Sequence, residues 1–97
     1  MLKGIFAPIP TPFREGAVAY DELERNLEKW AATRLTGLVV LGSNGEFVYL
    51  TPEEKVRLIH HVRAHFPADR PVIAGTGCES TQATIELTKQ AAAAGCT

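Results

Sequence analysis

The run Gly37-Leu38-Val39-Val40-Leu41-Gly42-Ser43-Asn44-Gly45-Glu46 constrains this chain more than any other segment. Four apolar, mostly branched residues pass straight into a turn of Gly, Ser, Asn, Gly and Glu. A continuous apolar run of that length suits a strand buried on both faces, as in a parallel sheet. Glycines on either side of Ser43 and Asn44 allow a tight turn that aims backbone N–H groups outward. Such N–H groups, beside a hydroxyl and an amide, suit a carboxylate or a phosphate. The residues alone leave two readings open. One is an anion site at the C-terminal end of a buried strand, where α/β proteins place their chemistry. The other is a plain strand-to-helix turn with glycine for geometry. It is not a P-loop, because Gly-x-x-x-x-Gly-Lys-Ser/Thr is missing.

The rest of the chain repeats the alternation of strand and helix. Ile5-Phe6, continuing toward Ile9, reads as a first strand, and Pro8 to Pro12 as a stiff exit where regular pairing stops. Arg14-Glu15-Gly16 is a turn. A first helix is expected from Asp21, with Asp21 as N-cap, Glu24 at the capping-box position, and Leu23, Leu27, Trp30 and Ala31 on one face. The second helix has the clearest start, Thr51-Pro52-Glu53-Glu54. It combines a Thr N-cap, Pro at the first helical position and Glu at the box position. Val56, Ile59, Val62 and Phe66 form its apolar stripe, and Pro67 to Pro71 end it. A third strand, Val72-Ile73-Ala74, leads through Gly75-Thr76-Gly77-Cys78-Glu79-Ser80 into a helix from Thr81 to Ala94, with Gly95 past its end. The order β-α-β-α-β-α, with strands beginning near residues 5, 38 and 72, fits right-handed βαβ units. A fourth strand is due where the sequence stops. A (β/α)8 barrel takes about 250 residues. The expected fold is therefore α/β, the first three βα units of a barrel, with residues 1–97 as the N-terminal part of that domain.

Composition excludes several other classes. Net charge is -1 across 97 residues, with Lys and Arg dispersed, so nothing favours nucleic acid or an acidic membrane surface. No apolar run approaches the roughly 18 residues of a membrane span. The proline-broken N-terminus does not read as a signal peptide, which points to the cytoplasm. Cys78 and Cys96 lack metal-type spacing and read as free thiols.

Gly4-x-x-x-Pro8-x-x-Thr11-Pro12-Phe13, Gly42-Ser43-Asn44-Gly45-Glu46 and Gly75-Thr76-Gly77 together resemble the dihydrodipicolinate synthase/N-acetylneuraminate lyase family along the whole chain. The resemblance implies a TIM-barrel Schiff-base aldolase or lyase acting on pyruvate or a related 2-oxo acid, with no cofactor and no metal, and often a homo-oligomer. Ser43-Asn44 replaces the Thr-Thr usual in dihydrodipicolinate synthases. With Gly77 to Thr84, it looks closest to the 4-hydroxy-2-oxoglutarate aldolase branch. By resemblance, Ser43 hydrogen-bonds the substrate carboxylate and joins the proton relay, Asn44 is the second carboxylate-binding position, Gly42 and Gly45 shape the loop, and Glu46 is structural. The family's Schiff-base lysine and catalytic tyrosine lie on later strands, beyond Thr97.

Nothing inside the chain replaces them. A Schiff-base lysine must be neutral, through desolvation or a neighbouring cation. Lys29, Lys55 and Lys89 fall on helices, and Lys3 precedes the first strand. Tyr20 and Tyr49 do not match the family's tyrosine. His61 and His65 stand four apart on the second helix, but two ligands without a third read as a solvated face, and His60 as surface. Cys78 has no basic neighbour in sequence to activate it. Trp30 reads as core or interface, and Ala91 to Ala94 as close-packed helix. A second functional class stays open: a small self-associating α/β module that buries its sheet edges against another copy.

Overall fold

The structure, a computed structural model, describes residues 2–97. Its centre is a parallel sheet of β1 (Phe6–Pro8), β4 (Gly37–Val40) and β5 (Val72–Ala74), in the order β1-β4-β5. Phe6 pairs with Gly37 and Pro8 with Val39; Leu38 pairs with Val72 and Val40 with Ala74. Pairing runs further than the prolines of the exit suggested. Pro8 stays in register, and the Ile9 N–H donates to the Val39 carbonyl at 3.0 Å. Pro8 is tolerated because β1 is an edge strand of the described sheet: the Ile9 N–H faces β4, so the side on which Pro8 lacks a donor faces away from the ladder.

Side chains alternate across a strand, so Leu38 and Val40 share one face with Val72. All three are fully buried, together with Leu23, Leu27, Leu58, Ile59 and Val62 of the helices. Val39 and Ile73, on the opposite face, are only half-buried. Burial on both faces is thus met on the helix side alone among the described residues.

The helices are α1 (Tyr20–Ala31), α2 (Pro52–His65) and α3 (Thr81–Ala94). The start of α2 is the full capping box. Thr51 Oγ1 accepts from the Glu54 N–H at 3.1 Å, and Glu54 Oε1 accepts from the Thr51 N–H at 2.8 Å. Its stripe includes Leu58, which the spacing of the other apolar residues left out. At its far end the Arg63 guanidinium donates to the carbonyls of Phe66, Pro67 and Arg70, tying the exit of α2 to the approach to β5. For α3, Ser80 is the N-cap, accepting from the Ala83 N–H at 3.1 Å, and Gly95 closes the helix at φ 100°.

The start of α1 departs from the sequence reading. Its N-cap is Ala19, and no side chain caps it. Asp21 lies inside the first turn. Between β1 and α1 the chain forms a hairpin, β2 (Phe13–Arg14) with β3 (Ala17–Val18), turning at Glu15 (φ 52°) and Gly16 (φ 80°). Arg14 on this hairpin presents its two-pronged guanidinium to Asp21 at 3.2 Å and to Glu22 at 3.1 Å. This bidentate charged partner, on another element, holds the Asp21 carboxylate toward the hairpin.

Candidate functional site at the strand ends

The C-terminal ends of β1, β4 and β5 lead into three segments that touch one another. After Val40 the chain enters Leu41, buried and in the left-handed region at φ 62°. A 3-10 turn over Ser43–Gly45 follows, then Glu46 at φ 56°, then a second turn over Phe47–Tyr49. The left-handed positions are therefore Leu41 and Glu46, not the glycines. Strain in a β-carbon-bearing residue persists only where its surroundings hold it, and it concentrates at functional sites.

Glycine is needed for close approach instead. A β-carbon on Gly45 would stand 3.3 Å from both the Ile9 carbonyl and Thr11 Oγ1, so this loop lies directly on the chain leaving β1. Thr11 is buried beneath it. A β-carbon on Gly75 would collide with the Leu41 carbonyl, while the Gly75 N–H donates to the Val40 carbonyl at 2.8 Å. The segment after β5 is thereby pressed against the base of the loop after β4. At Gly42, with φ −82° and its nearest neighbour atom 3.8 Å from an added β-carbon, neither backbone nor packing demands glycine.

Ser43 and Asn44 are exposed at the tip of this assembly. The turn's internal bonds use the N–H groups of Gly45 and Glu46, donated to Gly42 and Ser43 at 3.0 Å. Among the described residues, the N–H groups of Ser43 and Asn44, the Ser43 hydroxyl and the Asn44 amide have no protein partner. Four polar groups on two adjacent residues thus face outward, an arrangement that suits an acceptor-rich anion. Glu46 is exposed beside them.

The other residues singled out in the sequence are placed elsewhere. Thr76 and Thr84 pin the segment after β5 to α3. The Thr76 and Thr88 hydroxyls hydrogen-bond at 2.9 Å, and Thr84 Oγ1 accepts from the Cys78 N–H at 3.1 Å. That segment is a turn and a helix start, as its composition suggested. Cys78 and Cys96 are free thiols, and burial pushes the Cys96 thiol pKa up against an opposing pull from Arg63. The Lys55 ammonium sits over the Phe47 ring, 5.5 Å from its centre. Lys3, Lys29 and Lys89 are exposed, and none of the four lies on a strand. Tyr49 is 76% exposed on the second turn. Trp30 packs against the core.

Tyr20 and the histidines occupy the seam between α1 and α2. The Tyr20 ring lies under the Arg57 guanidinium at 4.3 Å and against the His61 ring at 4.7 Å. Burial raises the Tyr20 pKa. His61 is half-buried here, not on a solvated face as its spacing suggested, because the α1–α2 packing covers it. That burial, with His65 adding to it and Glu24 opposing, holds the His61 pKa below the ordinary value. His60 is exposed.

A concavity of about 490 Å³ lies between α2 and α3 and is lined by Val56, Cys78, Ala83 and Leu87 among others. It does not include Ser43 or Asn44. Its surface is largely apolar, with Glu53, Lys55, Arg57, Glu86 and Gln90 also along it, and it lies between two helices and not at the strand ends, so the loop is the candidate site.

A parallel βα array whose strands end in loops on one side is the repeating plan of a (β/α)8 barrel. Over residues 1–97 the chain matches the Dihydrodipicolinate synthetase family, and it belongs to that family. It is 41% identical over 96 residues to the 4-hydroxy-tetrahydrodipicolinate synthase of Methanothrix thermoacetophila, covering 98% of this chain and 32% of that protein. The dihydrodipicolinate synthase of Aquifex aeolicus superposes with a TM-score of 0.93 at 32% identity, over 98% of this chain and 32% of that one. The dihydrodipicolinate synthase of Acinetobacter baumannii complexed with pyruvate superposes equally well, with a TM-score of 0.93 at 33% identity over 99% of this chain and 33% of that one. The chain spans about a third of the length of the relatives it matches. Its fold is that of the first three βα units of these TIM barrels.

Proposed function

We propose that residues 1–97 are the N-terminal part of a barrel-domain Schiff-base aldolase or lyase, and that they hold the carboxylate of pyruvate or a related 2-oxo acid. The observation that carries this is the outward-facing Ser43–Asn44 pair, braced from both sides by the Gly45–Thr11 and Gly75–Leu41 approaches. In this reading Ser43 and Asn44 donate hydrogen bonds to the carboxylate, and fixing it positions the neighbouring carbonyl for attack. The Ser43 hydroxyl also passes a proton. Gly45 sets the loop against Thr11, and Gly42 enters the turn. An imine to lysine withdraws electrons and eases C–C cleavage or formation, chemistry that asks for no organic cofactor or metal.

The pyruvate complex of the Acinetobacter baumannii relative supports the choice of ligand. The nucleophile is to be supplied by chain outside these residues, because Lys3, Lys29, Lys55 and Lys89 all lie off the strand ends. The Thr97 N–H donates to the Val72 carbonyl at 2.8 Å, beside β5 where a next parallel strand would pair. Alone, the chain is expected to be inactive; the complete enzyme is expected to be a cytoplasmic homo-oligomer.

A chimera tests this directly. Residues 1–97 joined to the later two-thirds of the Methanothrix thermoacetophila relative should form an imine with pyruvate. In that chimera Ser43→Ala or Asn44→Ala should raise the pyruvate KM about tenfold to a hundredfold, the loss of one hydrogen bond to a charged group. An unchanged KM in both variants would remove the carboxylate role.

A second reading, a self-associating module, is favoured by Val48 and Tyr49, which are 68% and 76% exposed beside the loop. A strictly monomeric mass for the pure chain in solution would count against it.

A further inference from the structure

Away from the loop, three metal-binding side chains converge between α1 and α2. Glu24 Oε1 stands 3.2 Å from His61 Nε2 and 3.3 Å from His65 Nε2. The three ligand atoms all lie within 4.8 Å of one another. We propose that Glu24, His61 and His65 form a divalent transition-metal site of the zinc type, clamping α1 to α2.

The separations fit. Two ligands on a tetrahedral zinc, with bonds of about 2.0–2.1 Å, stand about 3.3 Å apart. Both His–Glu distances meet this; the two imidazoles stack with centroids 4.2 Å apart and planes 20° from parallel, so closing the third pair requires the exposed His65 ring to turn toward the ion while His61 keeps its place.

Hydrogen bonding supplies the second argument. His65 Nδ1 lies 2.8 Å from the His61 carbonyl. A carbonyl can only accept, so Nδ1 carries a proton, and Nε2 is the ring atom that faces Glu24. Two atoms that both carry lone pairs repel at this distance, so a positive centre must lie between Nε2 and the carboxylate, either a bound metal or a second ring proton. A second ring nitrogen bonded to a backbone carbonyl is also the usual way a ligating histidine is oriented. His61 Nε2 is buried, and the Glu24 carboxylate, 3.2 Å away, meets it without good hydrogen-bond geometry. A buried polar atom without a partner is costly, and a metal bound through this lone pair removes that cost. The Tyr20 ring holds the His61 ring in place from the other side. Glu24 and His65 are exposed, which leaves an entry path and a fourth position for water. Two imidazoles and one carboxylate suit zinc, cobalt and nickel over calcium or magnesium.

The test titrates the chain with Zn²⁺ alone by calorimetry, and with Co²⁺ read by its visible tetrahedral absorption. One equivalent should bind. His65→Ala and Glu24→Gln should each weaken binding at least about tenfold and abolish the Co²⁺ band. His60→Ala, one residue from His61 on an exposed position, should change neither. Zinc should raise the Tm of the unmodified chain and not that of His65→Ala. No saturable binding would overturn the site and leave a proton as the cation between these groups. Equal weakening by His60→Ala and His65→Ala would also overturn it, because it would show unspecific histidine binding without the folded arrangement.

Discussion

At Gly75 a single missing methyl group decides whether two loops can meet. The Leu41 carbonyl occupies the space where a β-carbon would go. Gly75→Ala should therefore destabilise the chain by about 1–3 kcal/mol through overpacking, read as a lower urea midpoint at unchanged m-value. Gly77→Ala is the control. No atom lies within 4 Å of its added methyl, so its cost should stay within about 0.5 kcal/mol. Equal costs for the two would remove the close-approach account of the Gly75-Thr76-Gly77 segment. Some residue-scale facts were not legible in the sequence. The left-handed backbone at Leu41 and Glu46 falls on residues whose side chains disfavour it. Only the fold around them imposes it, so the glycines drew attention to the right turn for a different reason.

Elements were legible where their signals are local. The α2 start needed only four consecutive residues, and Thr51→Ala should cost about 1 kcal/mol by removing the hydroxyl that accepts from the Glu54 N–H. Denaturant unfolding of that variant checks it, and an unchanged midpoint would contradict it. The α1 start failed because its decisive partner, Arg14, sits on another element. Glu24, expected to complete a capping box with Asp21, reaches His61 and His65 instead. Which residues of two helices face each other depends on how the helices cross, and no spacing within either one contains that. The β2–β3 hairpin was missed although its two-residue turn, Glu15-Gly16, ends in the glycine that such turns favour. In the sheet, Leu38→Ala should cost about 2–5 kcal/mol, because Leu38 is fully buried on the central strand and its loss leaves a cavity under the helices. A loss below about 1 kcal/mol would mean that the helix layer is not packed on that face.

At the scale of the whole molecule, the alternation of strand and helix was readable because each parallel crossover leaves the same signature: an apolar run, a small-residue turn, a capped helix. That signature located the Ser43–Asn44 loop at the C-terminal end of the central strand. The half-buried face bearing Val39 and Ile73, and the open edges at β1 and β5, are what three βα units of a barrel leave uncovered. The proposed function divides along the same line: the Ser43–Asn44 loop would hold the carboxylate, and the imine-forming lysine would come from outside these residues. Borohydride trapping of the pure 97-residue chain with pyruvate, read by intact mass, tests that separation most directly. The account predicts no adduct. A stable adduct on Lys3, Lys29, Lys55 or Lys89 would contradict it, since the nucleophile would then lie within the chain.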